Sequence, residues 1–187
     1  MNIFFRIYHL MLNPAKEWEA IAAENHSRKT VYARFVVPLL CAIAIACIVG
    51  TWLITSRELY SAAYVLCTIA ILWTSLSSGL YFSAYVIAEI MAHQIESKDH
   101  DKSFALMAYA SGAAYLVIII VSLFPFFVEL LVLAFYACYL YWQGIPHLIR
   151  IHDRKRMIYA LFSFIIVLLI YSLMFFLFGK FFRAILI

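Results

Sequence analysis

The sequence predicts an all-α fold of membrane type: a polytopic bundle of five transmembrane helices preceded by N-terminal interfacial helices. Two observations carry that expectation. Of 187 residues, 67% are hydrophobic and only 13% charged, whereas soluble domains are about a quarter charged. The apolar residues also fall in long runs bracketed by charges, and a bilayer offers hydrocarbon to the outer faces of such helices. The expected division is 1–34 for the N-terminal cytoplasmic and interfacial helices and 35–187 for the membrane domain. Its spans are expected at about 35–55, 60–92, 104–124, 126–145 and 157–179.

Each element has a local reason. Ile3, Phe4, Ile7, Leu10 and Met11 recur at helical spacing while Arg6 and His9 fall elsewhere, on the polar side, the pattern of a helix lying in the membrane surface. Asn13-Pro14 supplies an N-cap and first-turn pair for a second short helix, in which Trp18, Ile21 and Ala22 share a face on the headgroups. Phe35 to Thr55 is an uncharged run of 21 residues between Arg34 and Arg57, just long enough to cross. Leu59 to Ala88 has 30 uncharged residues, too long for one upright crossing and too short for two. It reads as one long helix, tilted or kinked near Ser75 to Gly79. Phe104 to Ile149 carries a single charge, Glu129, in 46 residues, enough for two crossings joined at Pro125. Gly144 and Pro146 end the fourth span, and Met157 to Gly179 gives a fifth of 23 uncharged residues.

Counting Lys and Arg on alternate sides gives eleven on the N-terminal side and three on the other. The positive-inside rule then predicts a cytoplasmic N-terminus and an outside C-terminus, in a cell membrane of bacterial inner-membrane type. Basic residues at span ends suit anionic lipid rather than nucleic acid. Cys41, Cys47, Cys67 and Cys138 lie inside apolar runs without zinc or redox spacing and read as small core residues. No cleaved signal peptide is expected.

Chemistry-bearing residues are few. Glu89, His93 and Glu96 fall at i, i+4 and i+7, on one helical face at the end of the second span. With His147 and His152, and Asp153 beside them, they form the one candidate metal set, against which stands a hydrated helix end bearing intrahelical pairs. No other cofactor is expected. Glu129, four residues past Pro125, is the candidate ion or polar-cavity residue, the alternative being a hydrated carboxylate at the interface. Arg150, Arg154, Lys155 and Arg156 form a basic loop expected to touch lipid headgroups or to fix topology. Ala42, Ala46 and Gly50, then Ser75, Gly79 and Ser83, and Ala108 with Gly112 make smooth stripes suited to helix contact. Tyrosines within the spans should hydrogen-bond inside the bundle. No phosphate loop, nucleophile elbow or zinc-protease helix is present, so no catalytic residue is expected.

The order of four features resembles the Yip1 family in its short, prokaryotic-type form. They are Asn13-Pro14 followed by Glu17-Trp18 and Ile21, the Phe35-Val36-Val37-Pro38 entry to the first span, the Phe104 to Ala110 re-entry, and the exit at Gly144. Most of the chain is covered. The chain lacks the long acidic N-terminal region of eukaryotic relatives, and Ser111-Gly112-Ala113 stands where many carry a proline, so a Rab-binding role does not transfer. The resemblance implies a non-enzymatic membrane scaffold or organiser whose partners are lipids, other membrane proteins or further copies of itself. The alternative is a small transporter or channel for an ion or small solute.

Overall fold

In the computed structural model, residues 3–24, 26–54, 62–92, 99–149 and 153–186 are described, and among them there are helices and no strands. Five helical segments are long and apolar enough to cross a membrane: 28–52, 62–90, 100–123, 125–148 and 157–185.

Two short helices, α1 (Ile3–Leu12) and α2 (Pro14–Glu24), form an N-terminal hairpin. The first span then builds up in three pieces: α3 (Arg28–Val31), a π-helical turn (Tyr32–Val36) and α4 (Val37–Ile54). Pro38 explains the widened turn. Its ring has no N–H for the Arg34 carbonyl and would press against it, and a π turn immediately upstream relieves both faults. The wider turn also sends two adjacent residues, Phe35 and Val36, fully into the protein.

The 30-residue apolar run becomes one helix, α5 (Ala62–Ala92), continuous through Ser75 to Gly79. Thr74 and Ser78 hydroxyls donate to the Ala70 and Thr74 carbonyls at 2.6 and 2.5 Å, satisfying themselves within the helix. α6 (His100–Leu123) is capped by Asp99, whose carboxylate accepts from the Lys102 N–H at 3.0 Å, as N-caps do. It ends where Phe124, forced out of helical geometry ahead of Pro125 (φ −129°, ψ 79°), obeys the restriction on residues before proline.

The fourth span departs from expectation. Pro125–Phe135 is a 3-10 helix, with Phe127 off helical angles, and only Tyr136–Leu148 is α-helical (α7). The last helix, α8 (Asp153–Leu186), is long and mostly exposed.

The bundle is arranged around α6. It packs against α4, α5, α7 and the 3-10 segment, and its N-terminal half receives α1 and α3. α8 lies outside this group, along α5 and more lightly against α7. Glycines set the closest approaches: a methyl at Gly50 would strike the Ser122 carbonyl, and one at Gly79 would come within 2.7 Å of the Tyr171 ring. A methyl at Gly112 would lie 2.9 Å from Phe35. Helix contact is thus where these small residues sit.

Candidate functional site

The N-terminal hairpin does more than lie on the headgroups. Ile7, Leu10, Trp18 and Ile21 are buried, and Trp18 is wholly so. Trp18 meets Tyr109 of α6 edge-on, with ring centroids 6.5 Å apart, and Phe35 approaches the same tyrosine at 4.7 Å. Gly144 permits this, because any side chain there would collide with Leu106 and Trp18.

Arg6 turns inward, contrary to its expected place on the polar face of a surface helix. It is 7% exposed while Phe5, Tyr8 and Leu12 face outward. Its guanidinium donates to both Glu24 oxygens at 2.7 and 2.5 Å, reaches Glu17 at 3.1 Å and lies 5.5 Å over the Tyr109 ring. Bidentate pairing of this kind is the strong form of a charged hydrogen bond. Burial works against the Arg6 charge, but the bonds to Glu24 and the fields of Glu17 and Glu24 outweigh it, so its pKa stands above the ordinary guanidinium value. The Arg6 bonds hold the Glu24 carboxyl below its ordinary range despite its partial burial. A sequence signal for the clasp existed: Glu17, Ile21 and Glu24 recur at i, i+4 and i+7, so both acids share a face with a buried residue.

Two members of the candidate metal set lie among the described residues. Glu89 is in the last turn of α5 and His147 near the end of α7, both half-buried, while His93, Glu96 and His152 lie outside the described residues. Among the described residues no three His, Cys, Asp or Glu gather as a metal would need. Arg150 also lies outside them, and Arg154, Lys155 and Arg156 belong to the start of α8 without described side chains. Glu129 is exposed, in the first half of the 3-10 segment. Arg6 is the one charged side chain among the described residues that is buried.

Cavities among the described residues include two of some size. One of about 350 Å³ opens near the N-terminal end of α6, where His100 stacks on Tyr85 at 5.5 Å and Arg28 reaches Asp101 at 3.4 Å. The other, about 290 Å³, lies among α5, α6, the 3-10 segment, α7 and α8 and is walled almost wholly by carbon.

Five apolar spans, a docked helical hairpin and, among the described residues, no buried charge beyond the Arg6 clasp define an integral, multi-pass helical membrane protein. Its family follows from sequence: the Yip1 domain model matches residues 8–175. The chain belongs to the Yip1 family, which is in general not enzymatic. No curated protein and no solved structure is similar enough to match.

Proposed function

We propose that this chain is a non-enzymatic membrane organiser, working through its helix faces and its docked N-terminal hairpin on lipids, other membrane proteins or further copies of itself. One observation carries the reading: the only buried charge among the described residues is Arg6, and it is already neutralised by Glu17 and Glu24. A conducting path needs polar or charged groups lining a route through the bilayer. Glu129, the residue on which the transporter alternative leans, is instead exposed on the 3-10 segment.

Photocrosslinking from Phe5 and Tyr8 in native membranes, followed by identification of the adducts, tests this function. A dominant captured protein or lipid class is expected. Ion flux in proteoliposomes that disappears with Glu129→Gln would overturn the organiser reading in favour of transport.

The same reading puts the chain in a bacterial cytoplasmic membrane with Met1 inside and Ile187 outside, on the excess of Lys and Arg on the N-terminal side. Reporter fusions at each end should give opposite topologies. Equal accessibility of both tags from one face would refute this orientation.

A further inference from the structure

The apolar length of α6 acts as a depth gauge. Ser103 to Leu123 is an uncharged run of 21 residues, about 32 Å of helix, which matches a hydrocarbon core of about 30 Å. α7 runs the opposite way and brings its His147 end to the same side as the start of α6. The two gauges are in step, because Gly144 and Leu106, each three residues inside those ends, lie against one another.

Both gauges put the far end of α1 deep. A methyl on Gly112, nine residues past Ser103 and so about 14 Å in, would lie 3.5 Å from Ile7. The Tyr136 hydroxyl, on a residue eleven before His147 and so about 17 Å in, donates to the Met11 carbonyl at 3.0 Å. α2 then climbs back: Trp18 stands beside Gly144, only about 5 Å from the His147 end. Arg6 holds Glu24 across the open end, and four residues further on Arg28 meets Asp101 in the first turn of α6. A hairpin resting on the headgroups would touch only the first turns of α6 and the last turns of α7. The tip suits a medium without water. The Asn13 N–H donates to the His9 carbonyl at 2.8 Å, its carbonyl accepts from the Glu17 N–H at 3.3 Å, and Pro14 has no N–H to satisfy.

The outward face of α1 is apolar along its length. Phe5, Tyr8, Met11 and Leu12 are exposed, and Phe5, Tyr8 and Leu12 repeat at i, i+3 and i+7. Phe135 and Tyr139, close to Tyr136 in sequence, are exposed as well, so this face continues into the outer surface of the fourth span. Charge is kept off it. Arg6 turns the other way onto Glu17 and Glu24, and an unpaired arginine at that depth would be costly. Lys16 and Glu19 are exposed on the returning limb, from which a long lysine side chain reaches the headgroups. We propose that α1 and α2 form a re-entrant hairpin, inserted to about mid-membrane from the N-terminal side, with phospholipid acyl chains covering Phe5, Tyr8 and Leu12. The hairpin adds two helical cross-sections, each about 10 Å wide, to that leaflet alone. This deepens the organiser reading and rests on it for its use in the cell, while the depth is measured by itself.

The test uses Phe5→Cys, Tyr8→Cys, Leu12→Cys and Lys29→Cys variants of the full chain, with Cys41, Cys47, Cys67 and Cys138 replaced by Ala. Each is spin-labelled in vesicles of phosphatidylethanolamine and phosphatidylglycerol and relaxed by oxygen or by a water-soluble nickel chelate. Oxygen should dominate at the three α1 sites, with Leu12 about 10 Å deeper than Phe5, and nickel should dominate at Lys29. One shallow depth shared by the α1 sites, nickel access there equal to that at Lys29, or shielding from both reagents by a covering protein would each overturn the proposal. The unaltered chain in nanodiscs gives a second measurement. A phospholipid with a mid-chain diazirine should label residues 5–12 several-fold more than one with a headgroup diazirine. Equal or stronger headgroup labelling would also overturn the proposal, and this comparison decides if the variants do not fold. A deep hairpin in a chain that loses ion flux with Glu129→Gln would sink the organiser reading and leave the hairpin standing. A flat hairpin that still captures one dominant protein would do the reverse.

Discussion

α6 and α8 are both long apolar helices, yet two-thirds of the most apolar stretch of α6 (67%) is buried inside the protein against 11% for α8. Side-chain size separates them. α6 carries Ser103, Ala105, Ala108, Ala110, Ser111, Gly112 and Ala113 on its buried length, whereas α8 presents Leu161, Phe162, Ile165, Leu169, Leu173, Phe176 and Leu177 outward. In lipid the hydrophobic effect does not choose which apolar face turns inward, so close packing of small residues does. The N-terminal hairpin then adds to α6 what a soluble core would have, a buried aromatic and a satisfied ion pair.

Breaking the tight half should cost most. Trp18→Ala is expected to destabilise by about 3–5 kcal/mol, the range for emptying a buried aromatic site, read from the denaturation midpoint in mixed micelles. Trp18→Phe should cost far less, because the indole N–H has no partner to lose. Gly79→Leu would drive a side chain into Tyr171 and prise α8 from α5. The expected loss is about 3 kcal/mol, the upper end for overpacking, and crosslinking between Ser75 and Met174 positions would report the separation. These two are in contact in the native chain, with the Ser75 hydroxyl 3.4 Å from the Met174 carbonyl.

Arg6→Met leaves Glu17 and Glu24 without their cation, and about 2 kcal/mol is expected, as for charged hydrogen bonds. A double-mutant cycle with Glu24→Gln measures how much belongs to the pair, and additive effects would show the clasp to be idle. Acid probes the same bond. Because Arg6 depresses the Glu24 pKa, the clasp's contribution is complete at neutral pH and is lost as acid takes the pH down through that lowered value, beneath the ordinary carboxylate range. Hydrogen exchange of residues 3–24 should rise there and stay level between pH 6 and 8. The smallest effect belongs to the lipid-facing half: Leu169→Ala, 65% exposed, should change stability by less than about 0.5 kcal/mol.

Much of the fold was legible because apolar run length and charge placement encode crossings directly. The run from Leu59 to Ala88 became one helix, and the small-residue stripes at Gly50, Gly79 and Gly112 lie at close contacts. Arg6 was misread because α1 is apolar on both faces, Ile7 and Leu10 inward and Phe5 and Tyr8 outward, so periodicity alone could not say which face the arginine joined. The π turn and the 3-10 segment were invisible for another reason: composition reports that a stretch is helical and apolar, not how tightly it winds. The candidate site was least legible. Tyr115, Tyr141 and Tyr171 are far apart in sequence, and only the packing of three helices brings them around one cavity. Glu129 stood out in sequence by its charge alone, which says nothing of which way a side chain faces.

The 3-10 winding of Pro125–Phe135 also has a bearing on bilayer thickness. A 3-10 helix advances about 2.0 Å per residue against about 1.5 Å in an α-helix, so these eleven residues extend about 5 Å further than they would if α-wound. That increment is close to the difference between thin and thick cellular membranes. The fourth crossing thereby reaches a given depth with fewer amino acids than its neighbours require.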